Sequence, residues 1–194
     1  MSRVVPVAAA FYARDQEVVA QELLGTRVIR RLGAQVVGGL IVETEAYYGH
    51  EDPASRAYHG RKRYNALMWE PPGRVFIYNV HKYWMFNIVA HPPNQVGAVL
   101  IRALEPREGI EVMQRNRPVA RLVDLTNGPG KLTTALQIDR RVHGAPVTSR
   151  ESPLCVVEGA RPPEIGRSHR IGVRRDLERP LRFFIPGNPY VSRR

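Results

Sequence analysis

The chain has 194 residues, 43% of them hydrophobic, which suits one folded domain with a proper core, spanning residues 1–194. Its 29 basic residues against 18 acidic ones give a net charge of +11, a surplus that points away from neutral metabolites and toward a polyanion. A single cysteine, Cys155, excludes an internal disulfide and a cysteine-rich zinc site, and no apolar run approaches the roughly 18 residues of a membrane-spanning helix. The expectation is a soluble protein of a reducing, cytoplasmic compartment, with no secretory leader.

Asp15 is placed to cap a helix running to about Leu24, with Val19 and Leu23 on one face and Gly25 as its stop. Thr26–Arg31 and Gln35–Tyr47 then read as two strands of a hairpin turning at Leu32, Gly33 and Ala34. From Gly49 to Arg63 periodicity disappears into a polar, basic loop, and Asn65–Trp69 suits a short helical turn before Pro71 and Pro72. Arg74–Val80 and Tyr83–Ala90 form a second predicted hairpin with His81 and Lys82 at its tip. Gly97–Leu104 is the most apolar strand, although Arg102 sits inside it, and Glu108–Arg115 suits a helix burying Ile110 and Met113.

Pro118–Leu125 reads as neither helix nor strand. Asn127–Ile138 looks like a glycine-rich turn entering a helix, whose free first-turn amides beside Lys131 suit one phosphate. Short strands follow at Leu154–Glu158, Arg170–Val173 and Leu181–Ile185. Without repeats or a linker, the pattern predicts one compact α+β domain built on a mixed, largely antiparallel, curved sheet flanked by helices.

The chemistry concentrates in Ile41–Ser55. A strand carrying Glu43, Glu45 and Tyr47 on one alternating face has polar groups where a core would want hydrocarbon, and Glu45 is the candidate general base. Several readings compete. His50, Asp52 and His59 offer metal-ligand side chains, but without helical zinc-site spacing. Glu43 and Glu45 form a carboxylate pair suited to acid–base work, or an ordinary ion pair with Arg102. Cys155 has no apparent histidine partner for nucleophilic catalysis. Finally, Tyr47, Tyr48, Tyr58, Tyr64, Tyr78, Tyr83 and Trp84, interleaved with arginine and histidine, supply the aromatic faces that an unstacked nucleic-acid base requires.

The blocks ETEAY (Glu43–Tyr47), GHEDPAS, NALMWEPPGRVFIY, LIRALEPREG, NGPGKL, and RIGV with PLRFFIPGNPYVS resemble the alkyladenine (3-methyladenine) DNA glycosylase family, in order, from about Leu23 to Ser192. The resemblance implies a single α+β domain without metal or organic cofactor, acting on double-stranded DNA as a monomer, nucleoid-associated in a prokaryote. It implies that Glu45 activates a water for attack on the deoxyribose C1′, and that Arg102 and the backbone carbonyl of Ile171 hold that water. Tyr47 and Tyr78 correspond to the aromatics that sandwich the flipped base, Asn87 to the residue that crowds the exocyclic amine of guanine, and Gly130 and Lys131 to a phosphate-contacting helix start.

The chain also departs from the family pattern. PASRAYHG stands where PASHAYRG is usual, with Arg56 in place of the base-reading histidine and His59 in place of the arginine. Arg63, Tyr64 and Asn65 replace a Pro-Arg-Asn run. The hairpin tip between Tyr78 and Asn87 is one residue shorter, and the tyrosine that wedges into the duplex is replaced by His81 or Val80. No lysine accompanies Glu45 as an amine nucleophile, so a monofunctional glycosylase leaving an abasic site is expected. Neutral lesions need an acid for the leaving base, a role for His59 if its loop turns inward. The alternatives are a non-catalytic nucleic-acid-binding domain of related fold, in which Glu45 merely pairs with Arg102, and a metal-dependent nuclease.

Overall fold

The computed structural model describes residues 5–192. A short helix α1 (Ala9–Tyr12) leads into α2 (Gln16–Glu22), whose N-cap is the expected Asp15, accepting from the amides of Glu17 at 2.9 Å and Val18 at 3.4 Å. Strands β1 (Arg27–Leu32) and β2 (Gln35–Tyr47) form the first hairpin, and β3 (Val75–Val80) and β4 (Tyr83–Val89) the second. Between them the predicted turn is a 3-10 helix at Ala66–Trp69. Strand β5 (Ala98–Glu108) runs four residues past the expected end at Leu104, because its C-terminal part stays paired with β2.

Gly109 then turns the chain with φ 65 into α3 (Ile110–Asn116), so the helix starts two residues later than the sequence suggested. A Cβ at Gly109 would stand 2.2 Å from the Val36 carbonyl oxygen, so both the backbone angle and the close approach require glycine. Pro118–Leu125 contains a single 3-10 turn, Leu122–Asp124, and α4 (Pro129–Ala135) follows the glycine-rich turn. The last strands are β6 (Leu154–Val157), β7 (Gly166–Ser168) and β8 (Arg182–Phe184). Arg170–Val173, expected as a strand, is irregular, since Arg170 is drawn inward to ion partners and the pairing falls to Gly166–Ser168 instead.

The strands join in the order β3-β4-β5-β2-β1-β6, with β8 pairing both β2 and β7. Every named pairing is antiparallel, in keeping with the largely antiparallel sheet expected, and no parallel pair contributes among the described residues. The result is one compact α+β domain, with α2 packed on β2 and α4 on β4. Tyr12, Leu23, Leu24, Phe76, Phe86, Ile101, Leu104 and Phe183 are among its fully buried side chains. No helix among the described residues is long and apolar enough to cross a membrane.

The centre of the sheet carries the feature that builds the site. Strand β2 is thirteen residues long and shared: its first half pairs with β1, Glu43–Glu45 pair with β8, and β5 lies along the other edge. Along that β5 edge Ile41 faces Leu104, Glu43 faces Ala103 and Thr44 faces Ile101. Val42 is thus one extra residue on β2 and Arg102 one extra on β5. Two compensating irregularities release Arg102 from the ladder beside the two glutamates.

Candidate active site

Glu45 is fully buried. Its Oε1 accepts the Ile171 amide at 2.8 Å, its Oε2 accepts the Tyr47 hydroxyl at 2.7 Å, and Arg102 Nη1 lies 3.2 Å from Oε2. Oε1 thus has one donor, and Oε2 has one donor and one ion-pair contact, so at least one of the carboxylate's roughly four lone-pair sites stays open on Oε1. Burial pushes the Glu45 carboxyl above its ordinary value, while the Arg102 charge, the Ile171 amide and the Tyr47 hydroxyl pull it partly back. Burial, and then the Glu45 charge, drive the Tyr47 phenol well above its usual value, so Tyr47 remains a hydrogen donor.

Glu43, two residues back on the same face, is also fully buried, with four donors. It accepts from Arg102 Nε at 3.0 Å, Arg182 Nε at 2.6 Å, Ser192 Oγ at 2.8 Å and the Ser192 amide at 2.7 Å. The two carboxylates therefore differ in kind: Glu43 ties β2, β5, β8 and the C-terminal segment together, and Glu45 is held by Tyr47, Arg102 and the segment carrying Ile171. Arg102 bridges them, and although burial opposes its charge, Glu45 and Glu43 outweigh that opposition.

Above this layer lies a cavity of about 880 Å³. Tyr47, Leu100 and Arg102 line it from the central strands, Tyr78, Val80 and Met85 from the second hairpin, and Ala54, Arg56 and His59 from the loop after β2. Ile171 and the residues to Arg175 complete it. Tyr47, Met85 and Leu100 form a small apolar cluster against which Tyr78, Val80 and Val173 pack. No lysine and no aspartate lines the cavity among the described residues.

The sequence reading therefore brought together Glu45, Tyr47, Tyr78, Arg102 and Ile171. Ile171 reaches Glu45 through its N–H; its carbonyl is the group expected to hold the attacking water. Arg56 lines the cavity with its guanidinium carbon 4.6 Å from the Tyr78 ring centroid. Asn87 is buried, donating through Nδ2 to the carbonyls of Phe76 at 3.1 Å and Met85 at 3.2 Å, and borders a small void with Tyr47, Tyr78 and Ala98. His59 is exposed and is among the residues lining the cavity.

Other residues fall elsewhere. Tyr48 is a structural side chain, bonded to Asp15 at 3.0 Å with Arg179 over its ring. His81 occupies the exposed hairpin tip with φ 53, while Val80 beside it faces the cavity. Gly130 packs against Tyr83, where an added Cβ would approach Tyr83 Cγ to 2.7 Å, and Lys131 Nζ donates to Asn127 Oδ1 at 2.7 Å. The suggested metal ligands are not gathered: His50 is exposed, Asp52 is fully buried, and no group of three or more His, Cys, Asp or Glu side chains suited to a metal occurs among the described residues. Cys155 is buried with Ile29 and Val157.

What the sequence reading missed is the support. Asp52 receives Arg170 through both oxygens, at 2.6 and 2.7 Å, and both side chains are completely buried. Arg170 also donates to the Ala46 carbonyl at 2.9 Å and to Asp176 at 2.9 Å, and Asp52 accepts the amides of Tyr48 and Ala54. This knot holds the loop after β2 and the segment carrying Ile171 at fixed distance across the cavity. The only local hint was an aspartate and an arginine inside two of the quoted blocks.

The sequence aligns with known proteins along nearly its whole length. A family model described as methylpurine-DNA glycosylase matches residues 10–189. A protein of Aeropyrum pernix is 43% identical over 199 residues, covering 100% of this chain and 95% of its own. One from Latilactobacillus sakei is 40% identical, covering 99% and 93%, and one from Koribacter versatilis 36% identical, covering 99% and 95%. All three carry the name "Putative 3-methyladenine DNA glycosylase". Matched so fully in length, this chain belongs to the methylpurine-DNA glycosylase family, hydrolases of base-excision DNA repair that act on alkylated bases.

Proposed function

We propose that this protein extrudes an alkylated purine of the 3-methyladenine type from double-stranded DNA into the 880 Å³ cavity and hydrolyses its N-glycosidic bond with a water activated by Glu45. The observation that carries this reading is the contrast between the glutamates: Glu45 is held by Tyr47, Ile171 and Arg102, all three of which line the cavity, whereas Glu43 is tied to Arg182 and Ser192, which do not, as well as to Arg102. Burial raises Glu45 toward the range of a working base, and Arg102 keeps it ionisable.

In this mechanism the base rests between Tyr47 and Tyr78, whose electron-rich faces favour a cationic alkylpurine by about 0.5–2 kcal/mol. The bond from C1′ to the base nitrogen breaks, its electron pair neutralising the cationic base. The water oxygen bonds to C1′ and its proton passes to Glu45, leaving an abasic site. Ionised Glu45 also stabilises the positive charge that develops on the sugar. Asn87 crowds the exocyclic amine of normal guanine, and His59 is the group at hand to protonate a neutral leaving base. Lys131 and the start of α4 meet a backbone phosphate, and His81 enters the duplex.

The test is Glu45→Gln on methylated duplex DNA. Release of 3-methyladenine should fall by about 10²–10⁴-fold, the worth of a general base, while DNA binding persists. Undiminished release by the variant would remove Glu45 from the mechanism, and no release by either form would favour a non-catalytic DNA-binding domain. A covalent adduct trapped with borohydride would contradict the water-based route.

A further inference from the structure

The second hairpin is a partition with a cavity on each side. By the alternation of the pleat, Tyr78, Val80 and Met85 face the base cavity, whereas Ile77, Asn79 and Trp84 face away. On that far side lies a second groove of about 760 Å³, and the wall it shares with the base cavity is Arg56 over Tyr78.

Its lining is distinctive. Arg56, Lys62, Arg63 and Arg140 surround it, and no carboxylate lines it. All four are exposed, and none has a carboxylate partner within 4 Å among the described residues. The nearby acids are already engaged, Glu70 by Arg61 and Asp139 by Arg141, each pair at closer than 3 Å. Between the cations stand Tyr64, 51% exposed, and the half-buried Trp84. Aromatic faces set among unpaired cations are the requirement for single-stranded nucleic acid, with phosphates on the charges and bases on the rings.

We propose that this second groove binds a single-stranded stretch of DNA continuous with the nucleotide in the base cavity, its phosphates on Arg56, Lys62, Arg63 and Arg140 and its bases on Tyr64 and Trp84. The direction of the strand rests on the proposed reading of the base cavity; the groove's preference for single strands does not. The protein then holds locally opened DNA on both faces of one hairpin.

The test is fluorescence anisotropy with a labelled deoxythymidine decamer, which contains no lesion. Lys62→Ala/Arg63→Ala/Arg140→Ala should lower affinity at least about tenfold, and its log–log salt slope should shrink by about 2, at about 0.7 per lost phosphate contact. A control triple removing equal charge elsewhere, Arg115→Ala/Arg150→Ala/Arg161→Ala, should leave both almost unchanged. Tyr64→Ala should weaken binding several-fold without altering the slope. Equal losses in the two triples, or none in the groove triple, would overturn the proposal, and Arg63→Glu alone decides it should the triple variant unfold. Excision from methylated duplex by the unsubstituted protein is recorded in parallel. Its absence would defeat the catalytic reading while leaving the decamer result to stand or fall separately.

Discussion

The guanidinium of Arg170 lies 4.5 Å from the centroid of the Tyr47 ring while bonding both oxygens of Asp52. One face of the aromatic platform is thereby fixed by an ion pair sealed from water. Removing one member of a buried pair strands the other, at a cost of about 3–5 kcal/mol. Asp52→Ala is expected to lower stability by that amount in urea denaturation and to blunt base excision. Loss near 0.5 kcal/mol, as for a surface pair, would show that the knot does not hold the site.

Glu43 and Glu45 should separate in a stability-versus-activity experiment. Glu43→Gln removes the charge that binds Arg102 and Arg182, and is expected to destabilise the fold by about 3–5 kcal/mol. Glu45→Gln replaces a carboxylate that burial already disfavours, and is expected to keep or raise the melting temperature while lowering excision by about 10²–10⁴-fold. Reversed outcomes would exchange the two roles.

The raised carboxyl of Glu45 gives a pH signature with opposite signs for stability and activity. The folded protein binds this proton more tightly than the unfolded chain, so the associated stability is fully present below the ordinary value of 4.5 and is lost as pH rises through the elevated folded value. Activity should rise over that same upper range as Glu45 ionises. The acid limb of kcat/KM for a cationic lesion is therefore expected above 4.5, and the stability advantage of Glu45→Gln should grow with pH. An acid limb at or below 4.5 would count against Glu45 as the base.

Gly130 and Tyr83 make a testable pair. An added Cβ would stand 2.7 Å from Tyr83 Cγ and 2.9 Å from its Cβ, too near the root of the side chain for rotation to relieve it. Gly130→Ala is expected to cost about 1–3 kcal/mol through overpacking and to displace the hairpin. Adding Tyr83→Ala should recover most of that loss. A double-mutant cycle without coupling would refute the contact.

His81 holds φ 53 at the hairpin tip, a left-handed angle that costs a non-glycine residue about 1–2 kcal/mol. His81→Gly is expected to leave stability equal or higher while weakening affinity for lesion-bearing duplex. Unchanged affinity and excision would take the intercalating role away from His81.

The local pattern revealed much of this architecture. The alternation of Glu43, Glu45 and Tyr47, the Asp15 cap and both hairpins follow from short-range rules, and each occurs where expected. The ion knot was invisible because Asp52 and Arg170 lie 118 residues apart, and either reads alone as an ordinary surface charge. The irregular run at Arg170–Val173 was mistaken for a strand for the same reason: its apolar residues face a cavity and its arginine turns inward to acids the local sequence does not contain. The structural role of Glu43 depends on Arg182 and Ser192, which no window around Glu43 includes.

The two offsetting extra residues, Val42 on β2 and Arg102 on β5, make the acidic and basic halves of the centre a matter of strand arithmetic. Ile41 with Leu104 and Thr44 with Ile101 keep the same phase on either side of them. Deleting Val42 alone would turn every following β2 side chain to the opposite side of the sheet, sending Glu45 and Tyr47 into hydrocarbon. Shortening both strands together would preserve the phase but lose the arginine, so over evolutionary time the length of one strand is pledged to the length of the other.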